Sequence, residues 1–300
     1  MPHDLRALTA ADRASEVFAP RAGLALDDVR RIWAAVRELY RSGAYPGIAF
    51  CPRRNGHILL NRSIGVLRRP AGPGPHPHAA APLTPDTPVC LFSASKAVTA
   101  ILIHQLAEQG GVELDAPVAR YLPEFAQAGK RRVTVADVLS HRGGFPTIAL
   151  PKAERRVELL EDWPRVIDLI CRAPQTHGRQ FAYHAITGGF ILAEVLQRVT
   201  GQSLPAYLDE HLRRPMRMRH FTYGLPPAWR GRAAVNYVAG ARVRFPLDRV
   251  AERALLVPFE QVVEASNAPA FMSAVIPSGN LFATAEELSR FFQMLLDGGV

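Results

Sequence analysis

Lysine is scarce in this chain of 300 residues. Only Lys96, Lys130 and Lys152 are lysine, so 33 of the 36 basic residues are arginine. Arginine stays protonated at any working pH, whereas the pKa of a lysine can be lowered until its amine becomes a base. In so lysine-poor a chain, a lysine in an apolar setting is a candidate for chemistry that arginine cannot perform.

The chain also lacks long apolar runs and has few cysteines. No stretch reaches the roughly 18 apolar residues that a membrane-spanning helix needs, so none is predicted. The first residues, MPHDLR, lack the apolar core of a signal peptide, which favours a cytoplasmic location. Cys51, Cys90 and Cys171 are odd in number and widely spaced, and we expect buried thiols rather than disulfides or metal ligands.

The charge pattern and the motif content exclude several classes of function. The net charge is +9, but no basic run exceeds the triplet 130–132, which indicates a solvated surface rather than a nucleic-acid partner. His76 and His78 lie in a proline-rich stretch, residues 70–88, with no further His or Cys close by, and we expect a loop there rather than a zinc site. With no phosphate-binding glycine loop either, the sequence predicts no cofactor and no metal.

The chemistry-bearing stretch is VCLFSASKAVTA, residues 89–100, where a short strand runs into an apolar helix that ends at Gly110. Ser93 and Lys96 are three positions apart and can share one face of that helix. A neutral lysine could take the serine proton, and the free N–H groups of the first turn could hold an oxyanion. Spacing alone also fits a helix cap followed by a lysine whose stem lies on apolar surface.

Ser93-Ala94-Ser95-Lys96 resembles the first motif of the serine β-lactamase and penicillin-binding-protein superfamily, closest to class C β-lactamases and the esterases built like them. Three further segments resemble this family in the same order. They are VTVADVLSHRGGFP (133–146), FAYHA (181–185) and PSGNLFATA (277–285). The resemblance runs from about residue 44 to the end of the chain.

The resemblance implies an α/β (α+β) fold in which an antiparallel sheet is flanked by helices and an all-helical domain is inserted. We expect a loose arm over 1–24, a sheet domain from 25–92 and 234–300, and a helical domain over 93–233. Family members carry further strands and a third motif beyond the part matched here, so the sheet is expected to lack its C-terminal strands. An absent oxyanion donor from that motif would lower the rate about 100- to 1000-fold.

Apolar spacing and turn signals predict the individual elements. We expect a helix over 27–42, a hairpin pairing 48–51 with 57–60 through Asn55-Gly56, and strands at 233–238 and 242–245. Further helices are expected over 94–109, 117–122, 135–141, 164–173, 186–199, 204–213 and 285–297. The last should begin at a capping box, Thr284 to Glu287, and turn Leu288, Phe291, Phe292, Leu295 and Leu296 inward.

The resemblance also implies the site residues. Tyr183 occupies the position of the family's Tyr-x-Asn motif and would pass protons between Ser93, Lys96 and the leaving group. His184 and Ala185 are expected to border the substrate, and Ala185 replaces the asparagine that binds the amide of a β-lactam. A Ser-His-Asp triad is disfavoured because no G-x-S-x-G elbow occurs; Asp137 and His141 are interpreted as an i,i+4 pair, with His141 fixing the 143–144 loop.

These residues predict a serine hydrolase that forms an acyl-enzyme, with a small-molecule ester or amide as its partner. Because Ala185 removes the amide ligand, the first choice is a carboxylesterase acting on small esters. A β-lactamase or D-amino-acid peptidase is the alternative within enzymes. A non-catalytic ligand-binding or structural module is the alternative from another class. The sequence makes no prediction of the oligomeric state.

Overall fold

The computed structural model describes residues 5–68, 81–148, 150–151, 154–239 and 246–299. The chain forms two compact units. The sheet unit comprises Met1–Cys90, Gly231–Ala241 and Phe282–Val300, and the helical unit comprises Leu91–Arg230 and Arg242–Leu281. Antiparallel strands with many helices are the class that the sequence predicts, and this prediction is confirmed.

Short strands and two helices build the sheet unit. They are β1 (Thr9–Ala11), α1 (Leu26–Arg41), β2 (Gly47–Phe50), β3 (Arg53–Arg54), β4 (His57–Ile58), β5 (Arg62–Gly65), β6 (Val89–Cys90), β8 (Leu281–Ala283) and α10 (Ala285–Leu296). The main sheet has the order β1-β5-β2 and both pairings are antiparallel, so that Ile64 of β5 lies opposite both Thr9 and Ile48. A second pairing joins β6 to β8.

The hairpin predicted from Asn55-Gly56 is shorter than expected. The glycine turn joins only β3 and β4, and φ is positive at both turn residues, as such a turn requires. Strand β2 pairs with β5 instead of residues 57–60, so the predicted pairing was wrong. Each strand of this hairpin has two residues and none of them is buried, whereas pairing with β5 places Ile48 beside the buried Ile64.

The described part of the N-terminal arm also differs from the loose segment expected. Strand β1 adds a third strand to the main sheet, and Leu5 and Leu8 are buried. They belong to one apolar cluster with Trp33, Val36 and Tyr40 of α1 and with Leu60 and Ile64. The spacing of the α1 residues puts them on one face, and it is this face that covers the sheet.

The capping box of α10 is confirmed, but the predicted inward face is narrower. The Thr284 hydroxyl accepts from the Glu287 amide at 3.1 Å, and the Glu287 carboxylate accepts from the Thr284 amide at 2.9 Å. Of the five apolar residues expected to face inward, only Phe291 is buried, and Leu296 is 82% exposed. The apolar stripe of α10 is broader than the surface that the described residues pack against it.

Helices dominate the other unit. They are α2 (Ser95–Glu108), α3 (Val135–Leu139), α4 (Trp163–Arg172), α5 (Thr187–Thr200), α6 (Leu204–Leu208), α7 (Leu247–Leu255), α8 (Phe259–Ala265) and α9 (Pro269–Ser273), with one short strand, β7 (Thr222–Tyr223). The helix predicted over 117–122 is a single 3-10 turn, Val118–Arg120, and α6 continues into a π-helical turn, Asp209–Arg213. Gly110 follows α2 with positive φ, as predicted, and Gly201 ends α5 in the same conformation.

The region after residue 232 was predicted less well. No strand forms over 233–238, and the strand expected at 242–245 lies outside the described residues, as does most of the 70–88 loop with His76 and His78. Three short helices that the sequence did not predict, α7 to α9, follow. Each has only five to nine residues, which is too short for apolar periodicity to give a clear signal.

One of the described lysines is structural. Lys130 is fully buried, and its ammonium donates to the carbonyls of Gln127, Cys171 and Ala173. Two of these carbonyls lie at the C-terminal end of α4, where helix carbonyls lack intrahelical partners. Burial lowers the pKa of Lys130. The three cysteines are free and buried, as predicted.

Candidate active site

Ser93 lies in a tight turn ahead of α2. Residues Phe92–Ala94 form one 3-10 turn, and α2 begins at Ser95. Phe92 has φ +43°, a left-handed conformation that is strained for a bulky residue. The turn leaves Ser93 exposed while Lys96, in the first turn of α2, is half-buried.

The lysine amine lies between the serine and a backbone carbonyl. Lys96 Nζ is 3.1 Å from Ser93 Oγ and 2.8 Å from the carbonyl oxygen of Ser278. Burial lowers the pKa of Lys96, and the electrostatic and hydrogen-bonding interaction with Tyr183 partly offsets this effect. A lowered pKa enlarges the fraction of neutral amine, the form that can accept the serine proton.

Tyr183 reaches the same place from a distant segment. It lies in residues 181–186, a stretch without regular structure that precedes α5. Its side chain is 44% exposed, and Lys96 Nζ lies 5.2 Å from the centre of its ring. Three residues that the sequence singles out, Ser93, Lys96 and Tyr183, are therefore brought together.

His184 and Ala185 have a different setting. His184 is fully buried and Ala185 is 3% exposed, so neither offers surface to solvent. His184 Nε2 accepts from the backbone amide of Phe145 at 3.2 Å. Burial, followed by the nearby His141, lowers the pKa of His184 to about 4. Its imidazole is thus neutral at neutral pH.

Asp137 and His141 do not form the local pair that their spacing suggested. Helix α3 ends at Leu139, and His141 follows it with φ +59°, off the helix face. Asp137 caps the amide of Thr134 and forms an ion pair with Arg179 at 2.8 Å. The i,i+4 interpretation was wrong because the helix stops before it can present both side chains on one face.

His141 contacts the segment of Tyr183 instead of the loop at 143–144. Its Nδ1 accepts from the His184 amide at 3.1 Å, and its carbonyl accepts from the Ala182 amide at 3.0 Å. The rings of His141 and Tyr183 are 4.9 Å apart. Burial lowers the pKa of His141, and the charge of Lys96 lowers it further.

A buried hydrogen-bond network fixes α2 against residues 277–281. The Ser95 hydroxyl accepts from the Leu281 amide, Thr99 donates to the Pro277 carbonyl, and the Tyr223 hydroxyl donates to the Ser95 carbonyl at 2.8 Å. These contacts hold the Ser278 carbonyl against Lys96. Sequence reasoning assigned no role to these residues, and only the family-like segment 277–285 pointed to the region.

A sequence model of the family described as Beta-lactamase matches residues 32–300. The chain belongs to this beta-lactamase family. The order of the four resembling segments is thus the order of a shared fold, and the recognition made from Ser93-Ala94-Ser95-Lys96 is confirmed.

Individual relatives are esterases and penicillin-binding-protein homologues. The chain is 29% identical over 230 residues to "Esterase/beta-lactamase LipL" of Mycobacterium tuberculosis, covering 73% of this chain and 53% of that protein. A penicillin-binding-protein homologue from Caulobacter crescentus superposes with a TM-score of 0.74 at 30% identity, covering 89% of this chain and 70% of that one. A family VIII carboxylesterase gives a TM-score of 0.74 at 26% identity, covering 91% and 69%.

The chain spans about half the length of the curated relatives that it matches, 53% of LipL and 48% of the esterase EstB of Burkholderia gladioli. Within the described residues, no group of three or more His, Cys, Asp or Glu side chains could hold a metal ion. The described helices include none with the length and apolar character to cross a membrane.

Proposed function

We propose that this chain carries the acyl-transfer site of a serine hydrolase, with small carboxylic esters as its substrates. The observation that supports this most directly is the 3.1 Å contact between Ser93 Oγ and Lys96 Nζ, beside the Tyr183 hydroxyl. A nucleophile within hydrogen-bond reach of a base whose pKa is lowered is the arrangement that covalent catalysis requires.

The hydrogen-bond partners of Lys96 suit the role of general base. A neutral amine has two N–H donors and one lone pair. If the donors serve the Ser278 carbonyl and the Tyr183 oxygen, the lone pair is left for the proton of Ser93. Lys96 would then be oriented for proton abstraction before any substrate arrives.

The reaction proceeds in two halves. Ser93 Oγ forms a bond to the ester carbonyl carbon while its proton passes to Lys96, and the backbone N–H of Ser93 helps to hold the oxyanion. The tetrahedral intermediate expels the alkoxide, which takes a proton from Lys96 by way of Tyr183. Water then attacks the acyl carbonyl carbon and gives a proton to the same pair. The bond between this carbon and Ser93 Oγ breaks, Ser93 Oγ takes the proton back, and the carboxylic acid leaves.

Esters come first among the substrates because residue 185 is an alanine where the family's Tyr-x-Asn motif has an amide-binding asparagine. Ala185 is buried and contributes no surface to the substrate, and its methyl group supplies no ligand for the amide of a β-lactam or a peptide. The relatives' names support the same class, since LipL is called an esterase/beta-lactamase and a matching structure is that of a carboxylesterase. The LipL name keeps β-lactam hydrolysis as the second candidate, and putative D-alanyl-D-alanine carboxypeptidases are also among the relatives.

A fluorophosphonate probe tests the proposal, since it reacts only with an activated serine. Peptide mapping of the labelled chain should find the probe on Ser93, and the Ser93→Ala variant should remain unlabelled. Ser140→Ala is the matched control, because this serine is exposed, lies on the same unit and donates to the nearby carbonyls of Ala136 and Asp137. A chain that unfolds cooperatively but takes no label at Ser93 would contradict the proposal and favour a non-catalytic module.

Turnover then separates the substrates. We expect hydrolysis of p-nitrophenyl butyrate to exceed that of nitrocefin, and Ser93→Ala to abolish both. Faster turnover of nitrocefin would replace the esterase assignment by β-lactamase. Release of D-alanine from a D-alanyl-D-alanine peptide would replace it by peptidase.

A further inference from the structure

The segment that carries Tyr183 is tied to His141 on both sides. The amide before the tyrosine, that of Ala182, donates to the His141 carbonyl at 3.0 Å, and the amide after it, that of His184, donates to His141 Nδ1 at 3.1 Å. The His141 ring also lies 4.9 Å from the Tyr183 ring. Tyr183 lies in a stretch without regular structure, but the residues on both sides of it are hydrogen-bonded to His141.

This arrangement requires one protonation state of His141. A backbone amide can only donate, so Nδ1 must accept and the ring proton must sit on Nε2. The imidazolium form carries protons on both nitrogens and loses this bond. The His184 contact therefore exists only while His141 is neutral.

The surroundings of His141 keep it neutral near pH 7. Burial lowers the pKa of His141, and Lys96 of α2, which faces the ring, lowers it further when its amine is charged. From residues 181–186, Tyr183 and the neutral His184 pack against the ring. The acid nearby in sequence, Asp137, is engaged in its ion pair with Arg179 and is not the partner of the imidazole.

We propose that His141 is the positioning residue for Tyr183: its neutral imidazole holds the tyrosine beside Lys96, and protonation of the imidazole releases one side of the segment. The inference rests on the proposed function for its catalytic consequence, while the hydrogen bonds stand independently of it. His141 itself makes no contact with the reacting serine in this scheme and acts through Tyr183.

Two substitutions of His141 distinguish loss of the hydrogen bond to the His184 amide from a general loss of folding. In His141→Asn the amide oxygen falls near the place of Nδ1, can accept from His184, and does not titrate; asparagine also tolerates the positive φ. His141→Gly tolerates the same φ but has no acceptor. We expect the glycine variant to lose kcat by about 100-fold, as a catalytic group misplaced by about 1 Å does, with little change in KM. The asparagine variant should recover most of that loss.

The pH profile gives a readout that a merely structural histidine would not move. In the wild type, kcat/KM for p-nitrophenyl butyrate should fall on the acid side through protonation of both Lys96 and His141. In His141→Asn only the lysine remains, so the acid limb should be shallower and activity should persist to lower pH. An unchanged acid limb in His141→Asn, or a glycine variant with wild-type kcat, would overturn the proposal.

Hydrogen exchange tests the contact between His141 and the segment that carries Tyr183 even if the chain hydrolyses no ester. At pH 7.5 the peptide carrying the Ala182 and His184 amides should exchange faster in His141→Gly than in the wild type, and His141→Asn should restore protection. Ester turnover by the wild type, abolished in Ser93→Ala, reports on the proposed function separately. Equal protection in all three chains would refute the positioning role whatever the activity.

Discussion

Gly189 offers a sharp test of how the site is supported. It lies in the first turn of α5, and a Cβ added there would come within 2.2 Å of Ser278 Oγ and 2.9 Å of the Ser278 amide nitrogen. Ser278 supplies the carbonyl that accepts from Lys96, and its hydroxyl bonds the Ile186 carbonyl at 2.8 Å. Gly189→Ala should therefore act on the lysine through Ser278, without contact with the reacting groups.

The size of the effect follows from these distances. Ordinary contact begins near 3.4 Å, so Ser278 or α5 must move by about 1 Å. A shift of about 1 Å in a positioned group lowers kcat by about 100-fold. Alanine favours a helix interior by about 1 kcal/mol over glycine, whereas overpacking costs about 1–3 kcal/mol, so stability should fall by at most about 2 kcal/mol.

The assay is p-nitrophenyl butyrate hydrolysis together with urea unfolding. Gly188→Ala is the matched control: it gains the same helix propensity, and its nearest contact, to the His184 Cβ, is a milder 3.3 Å. We expect the control to keep most of its activity and Gly189→Ala to lose it. If Gly189→Ala retained both wild-type kcat and wild-type stability, the close packing of Gly189 against Ser278 would not be what positions the Lys96 amine.

Three further predictions follow from buried groups. Lys96→Arg should lower ester hydrolysis by about 100- to 10,000-fold, and raising the pH should not restore it, because the guanidinium stays charged. Lys130→Met should destabilise the chain by about 2–4 kcal/mol in urea, since three carbonyls lose their donor; wild-type stability would contradict this. The pKa of His184 is about 6.5 in the unfolded chain and about 4 in the folded chain, so the unfolded chain binds the proton first as the pH falls. The free energy of unfolding should therefore decrease by about 3 kcal/mol between pH 6.5 and pH 4. His184→Gln should flatten that pH dependence in urea unfolding.

The sequence was informative where local rules act. Ser93 and Lys96 are three residues apart, and the capping box at Thr284 and the glycine after α2 are signals a few residues long. Helix boundaries therefore came out within one or two residues for α2, α4 and α5. The family-like segments supplied Tyr183, which no spacing rule could have joined to a serine 90 positions earlier.

The rest depends on partners that are distant along the chain. Lys96 contacts the Ser278 carbonyl across 182 residues, and a backbone oxygen leaves no trace in the residue types. The pairing of β2 with β5 overrode the stronger local turn signal at Asn55-Gly56 because burial of Ile64 outweighs a tight turn. His141 was misread for a related reason, since the spacing from Asp137 assumes a helix that ends two residues too early.

The left-handed turn at Phe92 limits what can be copied from this site. Placing a serine and a lysine three residues apart in a regular helix of another protein would reproduce their spacing. It would not reproduce the turn that exposes the Ser93 hydroxyl to solvent while Lys96 stays half-buried. The transplant would need the bend as well, with a glycine or asparagine as the more tolerant choice at the position before the serine. A transplanted site therefore has to include the backbone conformation of residues 92–94 as well as the two side chains.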